Sequence, residues 1–192
     1  MIRANYGAIV EGEYDIGVFE VLIPRICPYP TEARAYEATG KASLMSRFPY
    51  LLRMFEHSTF SGRPVDRALV IRDSNGRNPA SVEHDMSAKL ANHTYLFPHG
   101  VQVHAVQQET ETWLLADPAA ISRVAGHAAH VPAGPLENRQ HPKELFMDVL
   151  NDVGLQYTPQ VCRRIAGEID LAALRSACPA FAVFEQKVLL VL

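Results

Sequence analysis

Carboxylate side chains follow two short apolar runs in the first half of the chain. Glu11 comes directly after the run 7–10, in the motif Val-Glu-Gly-Glu, and Asp73 follows the run 68–71, in the motif Arg-Asp-Ser-Asn-Gly. Four apolar residues that end at a polar, glycine-containing turn are typical of parallel strands covered on both faces. Ligand sites of such sheets lie beyond the carboxyl ends of the strands. The two motifs therefore predict a divalent cation site and metal-dependent phosphate chemistry.

Three further oxygen-bearing side chains are candidates for this site. Asn75 lies two residues after Asp73, so both side chains can point to one side of an extended loop, although Asn-Gly is also a strong turn pair. Glu109 and Glu111 follow a third strand candidate. Residues two apart do not share a helix face, so only one of the two glutamates is expected to face the site. Mg²⁺ or Mn²⁺ is the expected cofactor, because such cations take hard oxygen ligands and Mg²⁺ keeps several waters.

The charged residues of both motifs also have structural interpretations. Glu11, like Glu13 and Asp15, could stabilise the N-terminus of a helix by its negative charge. Arg72 and Arg77 flank the second acidic loop and are candidates for phosphate binding, since guanidinium groups form strong charge-assisted hydrogen bonds with phosphate. Their alternative role is to balance the nearby acids.

The apolar patterning predicts the elements that position these residues. Strands are predicted at 6–10, 67–72 and 102–106, and each precedes one of the acidic motifs. Residues 27–40 are rich in Pro, Tyr, Glu and Ala and are interpreted as an irregular connection with, at most, a weak strand. Parallel strands need crossover connections, usually helical, so the expected fold class is α/β with helices on both faces of the sheet.

Helices are predicted between and after these strands. The amphipathic patterns at 14–26 and 43–57 contain Pro24 and Pro49, which are expected to kink, end or restart their helices. We expect residues 1–126 to form the α/β core and residues 127–192 to form a linker and a helical extension packed on it, because composition shifts to Pro, Gly and His at 127–141. C-terminal helices are predicted at 142–153, 160–165, 171–174 and 179–192.

Composition and charge argue against several classes of protein. The net charge of −3 argues against broad electrostatic binding of nucleic acid, although a local basic patch remains compatible with it. Cys27, Cys162 and Cys178 are far apart and form no metal-like pair, so a reduced, cytoplasmic protein is expected. Early acidic residues argue against a secretory signal. No apolar run approaches the roughly 18 residues that span a bilayer, so no membrane association is expected.

Three motifs in the same order resemble the Toprim-like domain-of-unknown-function family 4276, which is often encoded beside ATPases in bacteria. They are a strand ending in Val-Glu-Gly at 10–12, a strand ending in Arg-Asp-Ser-Asn-Gly at 72–76, and Glu-Thr-Glu-Thr-Trp-Leu-Leu-Ala-Asp at 109–117. The similarity spans nearly the whole chain. Segments resembling the closing helical part of that family lie at 155–157, 168–170 and 177–181.

The resemblance implies a Toprim-like fold, in which a parallel sheet carries helices on both faces, with a C-terminal helical segment. It also implies that Glu11 serves in acid/base or metal chemistry, that Asp73 with Asn75 holds Mg²⁺, and that Glu111 or Glu109 completes the acidic cluster. Asn75 stands where the wider Toprim pattern has Asp, which removes one negative charge from the cation site.

The leading functional expectation is a Mg²⁺- or Mn²⁺-dependent, nuclease-like protein that cleaves phosphodiesters in bacterial defence or DNA metabolism. The order of the acidic motifs favours it. The alternative is a non-catalytic Toprim-like interaction module that binds an ATPase partner or a nucleic acid end, favoured by the acidic net charge and by Asn75. A third reading is phosphoryl transfer or hydrolysis on a nucleotide or small phosphate ester. The sequence leaves the substrate and the oligomeric state open.

Overall fold

The apolar runs form the strands of one parallel sheet in the computed structural model, which describes residues 3–189 except the side chains of Lys41 and Ala42. The spatial order of its strands is β2-β1-β5-β6, and each neighbouring pair is parallel. A short antiparallel hairpin of β3 and β4 precedes β5. The strands are β1 (Ala4–Val10), β2 (Thr31–Glu37), β3 (Thr59–Phe60), β4 (Arg63–Pro64), β5 (Arg67–Asp73) and β6 (Val101–Val106).

Helices connect the strands and continue beyond the sheet, and several begin with a capping residue followed by proline. The side chains of Asn78, Asp117 and Thr158 each accept a hydrogen bond from a backbone N–H of the first turn. Each is followed by proline at the first helical position, where a backbone N–H has no partner within the helix, so its absence in proline costs no hydrogen bond. The helices are α1 (Glu13–Ile26), α2 (Lys41–Glu56), α3 (Pro79–Leu90), α4 (Glu111–Leu114), α5 (Pro118–Ala125), α6 (Pro142–Asp152), α7 (Pro159–Glu168), α8 (Leu171–Ala177) and α9 (Phe181–Val188).

Both faces of the sheet are buried, as the continuous apolar runs predict. Along β1, Tyr6, Ala8 and Val10 belong to one hydrophobic cluster, whereas Ile9 belongs to a second. Successive side chains of a strand point to opposite faces, so the two clusters lie on opposite sides of the sheet. Helix α1 and the C-terminal helices cover the first side, and α2 and α3 cover the second. The predicted α/β class, with helices on both faces, is confirmed, and the architecture is consistent with a Toprim-like fold.

The C-terminal helices share their core with the sheet. The cluster that contains Tyr6 also contains Phe146 of α6, Ile165 of α7 and Phe184 of α9. At the amino edge of the sheet, the Tyr6 hydroxyl donates to the carbonyl of Val188 at 2.6 Å, near the end of α9. The predicted C-terminal helix extends to residue 192, and positions 190–192 lie outside the described residues.

Two details differ from the sequence-based expectations. Strand β2 lies where an irregular connection was expected, and only Ala33 and Ala35 are buried in it, so its apolar signal is weak. It is an edge strand, since it pairs only with β1 in the sheet as described. Of the outcomes expected at Pro24 and Pro49, an end or restart of the helix does not occur, because α1 and α2 continue past these residues. Pro24 lies in the last turn of α1, where the loss of one backbone N–H does not end the helix.

Candidate functional site

The predicted acidic residues meet at the carboxyl edge of the sheet, around a cavity of about 240 Å³. Its walls come from the loops after β1, β2, β5 and β6, from the start of α1, and from the C-terminal part of the chain. We call this cavity the acidic pocket. Its lining residues are Glu11, Gly12, Tyr14, Asp15, Gly40, Asp73, Asn75, Glu109, Glu111, Lys143 and Tyr157.

Glu11 follows β1 directly, and an arginine from the neighbouring strand holds its carboxylate. Arg72 Nε lies 3.3 Å from Glu11 Oε1, and Arg72 is buried. Arg77 instead donates from Nη2 to Asp85 Oδ2 on α3 at 2.8 Å. Both arginines lie outside the set of described residues that line the pocket. Their role in phosphate binding therefore stays a prediction.

Asp73 ends β5, and a threonine from the loop after β6 fixes its carboxylate. Asp73 Oδ1 accepts hydrogen bonds from the backbone N–H of Thr110 at 3.0 Å and from its hydroxyl at 3.1 Å. Burial raises the pKa of Asp73 well above its usual range, and the charges of Asp15, Glu111 and Glu11 raise it further. The bonds from Thr110 oppose this rise without cancelling it. Asp73 is thus held rigidly beside other acids in an environment that disfavours its charge.

Asp15 belongs to the pocket as well, although sequence reasoning assigned it only a role at a helix N-terminus. Asp15 does contact the N-terminus of α1, where its Oδ2 accepts a hydrogen bond from the backbone N–H of Gly12 at 3.2 Å. Burial and the charge of Glu111 nevertheless raise the pKa of Asp15 to about 7. Gly12 is the N-cap of α1, so Glu11 precedes the helix, and helical spacing from Glu11 could not have placed Asp15 beside it.

Glu109 and Glu111 both line the pocket, whereas only one of them was expected to face it. The helical-face argument does not apply, because α4 begins only at Glu111 and Glu109 lies in the preceding loop. Glu109 Oε2 accepts the backbone N–H of Lys143 at 3.1 Å, in the first turn of α6. Burial raises the pKa of Glu109, with the charge of Glu111 as a further cause. Glu109 therefore serves the N-terminus of α6, and Glu111 lies deeper, with 8% of its surface exposed.

Asn75 combines a turn position with a place at the pocket. Its φ is 49° and that of Gly76 is 76°, so both residues occupy the left-handed region that Asn and Gly adopt most readily. The Asn75 amide donates to the backbone carbonyl of Asp73 at 3.2 Å. These contacts account for Asn75 as a turn residue, and its assignment as a metal ligand stays a prediction.

An aromatic wall that sequence reasoning did not identify closes one side of the pocket. The rings of Tyr14 and Tyr157 stack with 4.3 Å between centroids and 4° between planes. The Tyr157 hydroxyl donates to Glu111 Oε1 at 2.5 Å. Lys143 Nζ lies 5.5 Å from the Tyr14 centroid and 5.2 Å from the Tyr157 centroid. These residues come from α1, α6 and the segment before α7, so no local pattern could have grouped them.

The donor atoms of the pocket suit a divalent cation, but they do not form a closed metal cage. Among residues 3–189, no three His, Cys, Asp or Glu side chains are grouped so that they could hold a metal ion together. Mg²⁺ does not need such a group, because it usually binds one or two carboxylates together with waters and substrate phosphates. Burial raises the pKa values of Asp15 and Asp73, and the charges of neighbouring acids raise them further, so a bound divalent cation would relieve the repulsion among these acids. The residues therefore fit an open, largely hydrated cation site.

Comparison with known proteins places the chain in a family. A family model described as a domain of unknown function (DUF4276) matches residues 18–189. The chain belongs to the DUF4276 family. Glu11 and Asp15 precede the match, while the other acidic residues of the pocket lie within it. No curated protein and no solved structure matches the chain. In the described part of this DUF4276 protein, no helix has the length and apolar character to cross a membrane.

Proposed function

We propose that the acidic pocket binds Mg²⁺ or Mn²⁺ and hydrolyses a phosphodiester, with nucleic acid as the substrate class. The observation that supports this most is the meeting of Glu11, Asp73 and Glu111, which follow three different strands, beside Asp15 in one cavity. The pKa values of Asp15 and Asp73 are raised, so the ionised form of each carboxylate destabilises the folded state. Perturbed pKa values cluster at functional sites, where a ligand offsets this penalty.

Glu11 and Asp73 are the residues that we assign to the reaction. Hydrolysis forms a bond between a water oxygen and phosphorus, breaks one P–O ester bond, and moves a proton from the water to the leaving oxygen. We assign Glu11, whose carboxylate contacts Arg72, to accept the proton of the water. Asp73, fixed by Thr110, and Glu111 are the carboxylates assigned to the cation, with Glu109 and Asn75 beside them. A bound Mg²⁺ or Mn²⁺ would favour water ionisation and neutralise charge on the phosphate.

A non-catalytic interaction module is the second candidate function. The turn conformation of Asn75 favours it, because a turn residue need not be a ligand. Among the described residues, no three His, Cys, Asp or Glu side chains could hold a metal ion together, and this also favours a non-catalytic module. In this reading the pocket, with or without a cation, is a contact surface for an ATPase partner or a nucleic acid end. The cytoplasmic location expected from the cysteines is compatible with both candidates.

Hydrolysis of bis(p-nitrophenyl) phosphate and of single- and double-stranded DNA, with Mn²⁺ and with EDTA, distinguishes the two functions. The enzyme reading predicts release of product only with metal. Asp73→Asn keeps the size of the side chain and the acceptor for Thr110 but removes its negative charge, so activity should fall about 100-fold or more. Asp85→Asn is the matched control, because Asp85 lies on α3 and pairs with Arg77 away from the pocket. Equal activity in Asp73→Asn, or activity in EDTA, would contradict the proposal.

A further inference from the structure

We propose that Lys143 is the phosphate-binding residue of the acidic pocket and that its ammonium group holds a phosphate of the substrate beside the carboxylates. This inference rests on the proposed function, since it assigns a partner to the phosphate of that same substrate. It moves the predicted phosphate contact from Arg72 and Arg77 to a residue in the C-terminal part of the chain. Three observations carry it: the charge balance of the pocket, the position of the Lys143 backbone, and the surroundings of its ammonium group.

The charge balance of the pocket favours a cationic side chain as a phosphate contact in addition to the proposed divalent cation. Five carboxylates line the cavity, and Lys143 is the cationic side chain among the described lining residues. Arg72 is already engaged by Glu11, and Arg77 by Asp85. A phosphate that enters an acidic cavity is repelled unless positive charge is presented to it. Lys143 is the lining residue that can present this charge.

The backbone of Lys143 is fixed at the edge of the pocket. Lys143 is the second residue of α6, and its N–H donates to Glu109 Oε2 at 3.1 Å. Pro142, the first residue of that helix, is buried. The side chain therefore starts from a rigid helical turn at the pocket wall, and only its own rotamers decide where the charge lies.

The ammonium group lies against aromatic rings instead of a carboxylate. Its nitrogen is 5.5 Å from the centroid of Tyr14 and 5.2 Å from that of Tyr157, and no ion pair of Lys143 is found within the described ranges. A cation over an aromatic face is attracted to it, but more weakly than to an anion at contact distance. Lys143 is thus kept half-buried and can still donate hydrogen bonds to an incoming phosphate.

Tyr157 links this cation to the acidic side of the pocket. Its hydroxyl donates to Glu111 Oε1 at 2.5 Å, and its ring stacks on Tyr14. The ring that supports the ammonium group is therefore held by the carboxylate assigned to the cation. The geometry separates two tasks: Lys143 holds phosphate, and the carboxylates hold the divalent cation.

Binding of thymidine 5′-monophosphate, measured by titration calorimetry with Mn²⁺ and with EDTA, tests the assignment. Lys143→Met removes the charge at similar length, and its affinity for the nucleotide should fall about tenfold or more. Lys143→Arg should restore most of it, which a purely structural role of the side chain does not predict. Lys89→Met, an exposed position on α3, should bind as the wild type does. Mn²⁺ affinity without nucleotide should be retained in Lys143→Met and lost in Asp73→Asn.

The outcomes separate this assignment from the proposed function. Wild-type nucleotide affinity in Lys143→Met would overturn the role of Lys143, as would no nucleotide binding by the wild type in either condition. Nucleotide binding that depends on Lys143, together with Mn²⁺ affinity unchanged in Asp73→Asn, would support Lys143 and count against the metal-dependent function. Loss of binding in Lys143→Met without recovery in Lys143→Arg would overturn the charge-based role.

Discussion

Two partly buried carboxylates of this protein, Glu83 and Asp15, have pKa values shifted in opposite directions. Glu83 on α3 has its pKa lowered to about 2, although burial, the largest single influence, acts to raise it. Asp15 in the acidic pocket has its pKa raised to about 7 by burial and by Glu111. Burial acts in the same direction on both carboxylates. The difference between them therefore comes from the groups that the fold places around each one.

The surroundings of Glu83 neutralise it. Its Oε1 accepts hydrogen bonds from Lys187 Nζ at 2.6 Å and from the backbone N–H of Ala105 at 3.0 Å, and His104 Nδ1 lies 3.4 Å away. Glu83 thereby satisfies a backbone group of the edge strand β6, which would otherwise be open to another strand. Glu20 does the same at the other edge, where it accepts the N–H of Ala35 at 3.2 Å.

Among residues 3–189, without the side chains of Lys41 and Ala42, no ion pair to Asp15 or Asp73 of the acidic pocket is found. Gly12 and Thr110 donate hydrogen bonds to them, burial raises both pKa values, and the charges of other acids raise them further. The fold thus pairs Glu83 with Lys187 and Glu11 with Arg72, whereas the described part of the chain provides no ion-pair partner for Asp15 or Asp73. The contrast teaches that Glu83 is a structural group and that the pocket is suited to a ligand that brings positive charge.

The largest effect is expected at the neutralised carboxylate. Glu83→Ala leaves Lys187 and the N–H of Ala105 without their acceptor, so the free energy of unfolding at pH 7 should fall by about 3 kcal/mol. Because the pKa of Glu83 is lowered to about 2, its stabilisation is present above the unfolded pKa of about 4.3 and is lost as pH falls towards 2. Urea denaturation between pH 3 and 7 measures both.

Glu20→Ala is the matched control for this prediction. Glu20 also joins a helix to an edge strand and pairs with a cation, but Arg163 has 52% of its side chain exposed. Solvent screens that pair, so a loss of about 1 kcal/mol is expected. Equal losses in the two variants would show that the lowered pKa of Glu83 does not reflect a stronger network.

A change of opposite sign is expected in the pocket. Because the folded pKa of Asp15 is raised to about 7, the folded state is penalised as pH rises from the unfolded value of about 3.9 through 7. Asp15→Asn removes this penalty and keeps an acceptor for the N–H of Gly12. The variant should be about 2 kcal/mol more stable than the wild type at pH 8 in EDTA, with no gain at pH 4.

Glu13→Gln tests whether that gain is specific to the pocket. Glu13 is exposed in the same first turn of α1, where its charge favours the helix N-terminus. Its neutralisation should lower stability by a few tenths of a kcal/mol. Destabilisation of Asp15→Asn at pH 8 in denaturant titrations would show that its helix contact outweighs the repulsion among the acids.

The strands and part of the acidic pocket could be predicted from the sequence. Strands β1, β5 and β6 were predicted because their residues form short apolar runs next to turn signals. Strand β2 was expected as a weak strand at most, because an edge strand that buries only Ala33 and Ala35 carries little apolar signal. Residue order along the chain was enough to bring Glu11 and Asp73 together, because parallel strands end at the same edge.

The rest of the site depends on contacts between distant segments. Asp15 has a sufficient local explanation as a capping residue, and that explanation concealed its place in the pocket. Lys143 and Tyr157 reach the pocket only because the C-terminal helices pack on the sheet. The pKa differences between Glu83 and Asp15 arise from such packing, so sequence alone could not assign them.

The smallest expected effect is at Asn75, and its sign should depend on metal. Asn75→Asp adds a negative charge at the mouth of a pocket where Asp73 and Asp15 already have raised pKa values. In EDTA the variant should therefore lose less than about 1 kcal/mol, since the site is exposed and Asp tolerates the left-handed turn conformation. With Mn²⁺ the added carboxylate becomes favourable, because a divalent cation is the largest local charge. Thermal melts of both proteins in EDTA and in Mn²⁺ measure this reversal, and a variant that melts like the wild type in both conditions would show that Asn75 is a turn residue only.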